Sequence, residues 1–161
     1  NKRTLFTHGG RRADRAWSPE ATHIAAVKQS DGSTNIVLFD VEADSVVALT
    51  SNHSGQQVIE PRWSPDGEWI YYSHSERHGY DIRRVRRDGS VDEAVIATDR
   101  DERSPVVDAA GTLWYTTDTG GVYDLHRRRP GAQSERVTNV IGGAFMPDVS
   151  ADGKVVFSRY D

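Results

Sequence analysis

The chain has 161 residues, of which 36% are hydrophobic and 27% are charged, and its formal net charge at pH 7 is −4. This length fits one domain, and the acidic balance argues against a nucleic-acid partner bound through its phosphates. The absence of cysteine excludes disulfides, thiolate metal sites and a cysteine nucleophile. No apolar run approaches the roughly 18 residues of a membrane helix, so no membrane span is expected.

In chain order, the first predicted element is a short strand at residues 3–7. A turn motif, Ala-Trp-Ser-Pro-Glu, follows at 16–20 and returns as Arg-Trp-Ser-Pro-Asp-Gly at 62–67. It recurs in weaker form at 106–111 and again at 148–153. The aligned anchors Trp17, Trp63, Val107 and Val149 are 46, 44 and 42 residues apart. This recurrence indicates a repeat protein.

Each motif is followed by strand-like runs that are rich in β-branched and aromatic residues. The runs lie at 23–27, 35–39 and 46–50; at 69–73, 80–85 and 94–98; at 113–117, 123–127 and 135–138; and at 155–158. With the strand that carries the motif, a full unit has four short strands, which is typical of a β-propeller blade. A β-sandwich with coincidental spacing is the alternative, and the recurrence of turn and strands favours the propeller.

The turn motif has a physical reason. Proline presets φ, aspartate hydrogen-bonds nearby backbone groups, and glycine adopts the positive φ of a tight turn. We therefore expect a turn between the first and second strands of each blade, with Gly67, Gly111 and Gly153 as its glycines. The apolar residue before the turn, such as Trp17 or Trp63, is expected to fill the space between neighbouring blades.

The second unit carries a family resemblance. Pro-Arg-Trp-Ser-Pro-Asp-Gly at 61–67, with Ile70-Tyr71-Tyr72 and Asp81-Ile82 after it, resembles the PD40 (WD40-like) repeat of TolB-type propellers. The first unit departs from this pattern with Ala21 in place of glycine, and the third lacks Ser-Pro. The resemblance implies an all-β propeller of four-stranded antiparallel blades. The same repeat occurs in periplasmic TolB, in tricorn-like proteases and in the propeller of prolyl-oligopeptidase-family peptidases, which favours a periplasmic or extracellular location.

The repeat predicts a single partial propeller of about three and a half blades. Residues 1–15 are assigned to the last strand of a preceding blade and a linker, three blades to 16–60, 61–104 and 105–146, and half a blade to 147–161. Because an uncapped repeat exposes apolar faces, we expect a larger ring, built from further blades of the same parent chain or from a homo-oligomer.

Two groups of side chains have ligand chemistry for a metal ion. His74 and His78, near Asp81, could hold zinc, but a loop fixes no ligand geometry, so a solvated turn is favoured. Carboxylates at Asp99, Asp101 and Glu102 could hold calcium. Arg100 and Arg103 alternate with these carboxylates and favour surface ion pairs instead. No metal and no cofactor are therefore predicted.

Two arginine clusters fall on third strands, near the outer rim of the predicted propeller. They comprise Arg83, Arg84, Arg86 and Arg87 in one unit and Arg127, Arg128 and Arg129 in the next. Such a ridge could bind an acidic partner or an anionic glycan. A rim that keeps the protein soluble and blunts sheet edges is the favoured alternative.

No Gly-x-Ser-x-Gly elbow occurs, so we expect no catalytic residue within this segment. The favoured function is a non-catalytic TolB-like scaffold that holds a protein or peptide partner through its loops and a channel. First strands bearing Pro61, Pro105 and Pro147 would line that channel. The alternative is the substrate-gating propeller of a larger serine peptidase or surface peptidase-like protein.

Overall fold

The computed structural model describes residues 14–76 and 79–160, and within these ranges the chain forms fourteen strands and no helix. The first sheet contains β1 (Arg15–Trp17), β2 (His23–Ser30), β3 (Ser33–Asp40) and β4 (Ser45–Ala48). The second contains β5 (Val58–Trp63), β6 (Trp69–Glu76), β7 (Gly79–Arg86) and β8 (Asp92–Ile96). The third contains β9 (Glu102–Val107), β10 (Leu113–Thr117), β11 (Asp124–Arg128) and β12 (Glu135–Arg136), and the fourth β13 (Gly143–Val149) and β14 (Val155–Tyr160).

Within each sheet, every strand pairs antiparallel with the next strand in sequence, and we call the four sheets blades one to four. The first strands of successive blades contact each other, which places them on the inner side of the assembly. The expected all-β architecture of four-stranded antiparallel blades is therefore confirmed, and the ring is not closed within the described residues. The described residues include no helix long and apolar enough to cross a membrane.

The blades begin a few residues earlier than the proposed boundaries. First strands start at Val58, Glu102 and Gly143, ahead of the expected starts at residues 61, 105 and 147. The motif lies at the end of the first strand, and part of that strand precedes the proline. The strand expected at residues 3–7 lies outside the described residues.

The repeated motif forms the expected turn between first and second strands. Gly67 has φ 72° and Gly153 φ 80°, the left-handed conformation that glycine adopts without a steric penalty. Blade one keeps this geometry without glycine, since Ala21 has φ 58°. The Ser64 hydroxyl donates to Asp66 Oδ1 at 2.5 Å, and the Glu68 amide donates to the same oxygen at 3.0 Å.

Between blades one and two lies a continuous apolar core. Ala25 and Leu38 of blade one meet Trp63, Ile70 and Val85 of blade two. Trp63 is 8% exposed, and its indole Nε1 donates to the Ala16 carbonyl at 3.0 Å, so the anchor of blade two fills the gap toward blade one.

Trp17 differs from the expectation that the anchors fill interblade space, because it is 55% exposed. The physical reason is that the described residues place no blade against the face of blade one on which Trp17 lies. Trp17 pairs with Ile24, whereas the residues of blade one that face blade two are Ala25 and Leu38. Adjacent strand residues point to opposite faces, so Trp17 points away from blade two.

The strands β5, β9 and β13 each contain a residue with positive φ directly before a proline. Glu60, Ser104 and Met146 precede Pro61, Pro105 and Pro147 and have φ of 57°, 55° and 51°. Hydrogen bonds at two of these residues, Glu60 and Ser104, link successive blades. Asp14 Oδ2 accepts the Glu60 amide at 3.1 Å, and the Glu60 carboxylate accepts the Ser104 amide at 2.9 Å and its hydroxyl at 3.1 Å. In blade four the apolar Met146 replaces these polar side chains.

Candidate functional site

A groove of about 760 Å³ lies between blades two and three. Blade two forms one wall with β6, β7, β8 and the turn between β5 and β6. Blade three forms the other wall with the end of β9, with β10 and β11, and with the turns that follow β9 and β11. This volume falls in the range of about 300–1,000 Å³ that is typical of ligand pockets. The groove is therefore the candidate binding site.

The wall from blade two combines aromatic rings with an arginine that is paired with a carboxylate. The Arg84 guanidinium lies 4.0 Å from the centroid of the Trp69 ring. Arg84 Nε donates to Glu93 Oε1 at 2.7 Å, and its Nη1 donates to the Tyr71 hydroxyl at 3.2 Å. Stacking and hydrogen bonds fix the plane of this guanidinium before any ligand binds.

The wall from blade three combines small apolar residues with a second arginine. Val107 and Leu113 pack into the apolar cluster that includes Tyr71. Arg128 reaches back across the groove, where its Nη1 donates to the Val95 carbonyl at 2.8 Å. Val95 belongs to β8, the outer strand of blade two, so this contact ties the two walls together.

The equivalent gap between blades one and two is closed. Trp63 occupies the place of Val107, and Arg87 crosses the gap to Glu20 at 2.6 Å and to His23 Nδ1 at 2.9 Å. A Cβ added at Gly67 would lie 3.2 Å from Glu20 of blade one. The equivalent Gly111 would meet only Pro130 of its own blade, so the turn of blade three stands away from blade two.

Most of the expected positive ridge is neutralised by neighbouring carboxylates. Its ion pairs are Arg83–Asp92, Arg84–Glu93, Arg86–Glu68, Arg87–Glu20, Arg127–Glu135 and Arg129–Glu135. Arg128 differs from these six, since the described residues provide no ion pair for it and its guanidinium donates to the Val95 carbonyl instead. Within the described part of the chain, Arg128 is therefore the rim arginine without an ion pair, and it lines the groove.

Two turn carboxylates lie beside the groove and serve the fold. The Ser64 hydroxyl lowers the pKa of Asp66, and the Glu68 amide lowers it further. Asp108 Oδ2 accepts the indole Nε1 of Trp114 at 3.0 Å. This bond and turn amides outweigh burial, so the pKa of Asp108 is also lowered. Both carboxylates stay ionised at neutral pH and hold their turns.

The expectation of a solvated turn at His74 is wrong. His74 lies within β6 and is 4% exposed, and its Nε2 lies 3.2 Å from Asn52 Oδ1 at the interface with blade one. The reason is that β6 extends to Glu76, beyond the expected end of the strand. His78 lies outside the described residues.

The carboxylates at positions 99, 101 and 102 lie in different environments. Asp99 is exposed and lies 3.5 Å from Arg100. Asp101 is 7% exposed; its Oδ2 lies 2.6 Å from Arg103 Nη2, and it accepts hydrogen bonds from the Tyr123 hydroxyl and the Tyr80 amide. The expected surface pairing thus holds for Asp99, whereas the Asp101 pair is largely buried. Among the described residues no group of three or more His, Asp or Glu is arranged to hold a metal ion.

Glu102 is the unexpected member of this segment, with 1% exposure. The Thr98 hydroxyl donates to its Oε1, and its Oε2 has no hydrogen-bond partner among the described residues. Burial, with Asp81 and Asp101 nearby, raises the pKa of Glu102 to about 7. The aligned positions in β5 and β13 are Val58 and Ala144, both fully buried, so a carboxylate occupies a core position of the repeat.

The groove was not predicted from the sequence. One signal was present: the anchor is Trp63 in blade two and the smaller Val107 in blade three. The smaller Val107 does not by itself predict a groove. Tyr71 stands where blade one has Ala25, and this larger side chain fills part of the volume that tryptophan would occupy. The open space depends on where Arg129 points, and it pairs with Glu135 of its own blade.

Comparison with solved structures identifies the fold. A TolB structure from Agrobacterium tumefaciens superposes with a TM-score of 0.81 and 24% identity, covering 92% of this chain and 54% of that one. TolB from Acinetobacter baumannii gives 0.76 and 24%, covering 91% and 37%. A puromycin-hydrolyzing peptidase from Mycobacterium tuberculosis gives 0.72 and 14%, covering 96% and 29%. The chain has the fold of TolB-type and peptidase-associated β-propellers.

Sequence comparison identifies similarity over only part of the chain. No protein-family profile matches the chain. An uncharacterized protein of Agrobacterium fabrum is 33% identical over 79 residues, which is 49% of this chain and 26% of that protein. The chain therefore spans about a quarter of this relative and about half or less of the TolB structures.

Proposed function

We propose that this chain is a non-catalytic propeller module that binds a protein or peptide partner, with the groove between blades two and three as part of its binding surface. The observation that carries the proposal is the contrast between the two gaps. One is closed by Trp63 and the Arg87–Glu20 pair, and the other is a groove of about 760 Å³. Tryptophan, tyrosine and arginine, the residue types enriched at binding hot spots, line one wall.

A peptide selection tests this function. The immobilised chain is panned against a random heptapeptide phage library, with the urea-unfolded chain as the control surface. We expect peptides that bind the folded chain and not the unfolded one. A selection that enriches nothing for the folded chain would contradict a peptide-binding scaffold.

A second candidate, the substrate-gating propeller of a larger peptidase, is supported by the similarity to the puromycin-hydrolyzing peptidase. The residues of this segment serve both functions equally. The intact mass and full sequence of the native polypeptide discriminate between them, because the gating function requires an attached hydrolase domain with its own nucleophile. A polypeptide that completes only further blades would contradict it.

A further inference from the structure

Arg84 and Trp69 form a preorganised flat surface in the groove. About a third of the Arg84 side chain (32%) stays accessible, although its guanidinium stacks on Trp69 and bonds to Glu93 and Tyr71. A planar cation held in this way accepts an aromatic ring on its free face. Little side-chain entropy remains to be lost on binding, which favours affinity.

The opposite wall presents a cation, Arg128, for which the described residues supply no carboxylate partner. Arg128 bonds to the neutral Val95 carbonyl, and the described residues offer no carboxylate within ion-pair distance. The other charged groups of the groove are already bound. Glu93 pairs with Arg84, Arg129 pairs with Glu135, and the carboxylates of Asp66 and Asp108 accept hydrogen bonds from groups of their own turns. Arg128 is therefore the groove cation that remains available to pair with an anionic side chain of a ligand.

We propose, resting on the proposed function, that this groove binds a peptide segment in which an aromatic side chain stands next to an acidic residue. The ring stacks on the Arg84–Trp69 surface, and the acidic side chain pairs with Arg128. A basic residue at the acidic position would meet Arg128 with the same sign of charge, so the site discriminates by charge as well as by ring contact.

The probe is an acetylated and amidated hexapeptide, Gly-Ser-Trp-Glu-Ser-Gly, titrated into ¹⁵N-labelled protein. The indole N–H signal of Trp69, assigned with a Trp69→Phe variant, reports binding by NMR. We expect a saturable shift with a Kd of about 1 mM or tighter. Peptides with alanine in place of tryptophan, or lysine in place of glutamate, should bind about tenfold more weakly or worse.

Two protein variants locate the site. Arg128→Met should weaken the binding of the probe about tenfold, and Arg128→Lys should keep part of it because the charge remains. Arg127→Met is the matched control, since Arg127 is the neighbouring arginine on β11, pairs with Glu135 and lies outside the groove lining. We expect this control to leave the Kd unchanged. Unfolding curves verify that all three variants are folded.

Equal affinity of Arg128→Met and Arg127→Met, or equal affinity for the glutamate and lysine peptides, would overturn the proposal. If phage-selected peptides bind the folded chain but are insensitive to Arg128→Met, the groove assignment is wrong and the scaffold function stands. If neither the selected peptides nor the probe binds, both proposals fail.

Discussion

Trp63 and Trp17 occupy the same place in their repeats, but their surroundings differ. Trp63 is 8% exposed and packs against blade one, whereas Trp17 is 55% exposed. Burial of a large aromatic side chain contributes several kcal/mol, and the same side chain in water contributes little. Comparing substitutions of Trp63 and Trp17 therefore separates the contribution of packing to stability from that of the residue type.

Trp63→Ala is expected to lower the free energy of unfolding by about 3–5 kcal/mol, because a cavity would form between blades one and two. Trp17→Ala, the matched control, should change it by less than about 1 kcal/mol. Urea denaturation followed by circular dichroism measures both. Equal effects of the two substitutions would mean that Trp63 is not part of the interblade core.

Glu102 predicts a pH dependence of stability. Its pKa is raised from 4.5 to about 7, so the folded protein holds a proton that the unfolded chain releases. The stability contributed by this group is complete below pH 4.5 and is lost as the pH rises through about 7. Glu102→Gln removes the titration and keeps an acceptor for the Thr98 hydroxyl.

We expect Glu102→Gln to flatten the pH profile and to exceed the parent in stability by about 1–3 kcal/mol at about pH 8. The two proteins should differ less at about pH 5. Urea midpoints at both pH values provide the measurement. Parallel profiles of parent and variant would show that Glu102 does not titrate in this window.

At the scale of elements, the repeated turn combines a backbone requirement with a contact between blades. Gly67 and Gly153 share a positive φ, of 72° and 80°. A Cβ at Gly67 would lie 3.2 Å from Glu20 Oε2, whereas a Cβ at Gly153 would meet nothing within 4 Å. Comparing alanine substitutions at the two sites isolates the contact.

Gly153→Ala should cost about 1 kcal/mol through its left-handed backbone, and Gly67→Ala should cost more because Glu20 and its partner Arg87 must also shift. Thermal unfolding of the two variants gives the comparison. A Gly67→Ala protein no less stable than Gly153→Ala would show that the contact with blade one contributes nothing.

The inner strands are joined by Glu60, whose carboxylate accepts the amide and hydroxyl of Ser104. Glu60→Ala removes these bonds between blades two and three, and we expect a loss of about 1–3 kcal/mol. Glu68→Ala is the control, since Glu68 is 56% exposed and pairs with Arg86 at the surface, where such pairs contribute about 0–1 kcal/mol. Chemical denaturation that gives equal losses would contradict an interblade role for Glu60.

At the scale of the whole molecule, each blade buries one face against its neighbour. Val106, Trp114 and Leu125 of blade three pack against Ala144 of blade four, with Val149 and Val155 at the edge of this cluster. In a repeat protein such interfaces supply much of the stability, so loss of a terminal unit weakens the unit beside it.

A chain that ends at residue 142 should therefore unfold at a lower urea concentration, with the Trp114 environment affected first. Tryptophan fluorescence and circular dichroism follow the transition. Ile141→Ser, at a 90% exposed position just before the truncation, is the control and should leave the midpoint unchanged. An unaltered midpoint in the truncated chain would show that blade four does not stabilise blade three.

Prediction from the sequence was good where the information is local. The turn at Ser64–Gly67 follows from the dihedral preferences of proline and glycine, and the strands beside it follow from their β-branched and aromatic residues. It was poorer where a residue's neighbours come from another blade. His74 was expected in solvent and is buried against Asn52, and Glu102 was expected at the surface and is fully buried.

The sequence by itself determined the repeat, the four-stranded unit and the turns, because each depends on the conformational preferences of a few adjacent residues. Only the tertiary structure decided which gap between blades is closed. Arg87 and Arg129 hold equivalent places, yet one crosses to Glu20 of the preceding blade and the other pairs with Glu135 of its own. Long side chains reach partners far apart in sequence, so the groove follows from packing in three dimensions, as does the lack of an ion pair for Arg128 among the described residues.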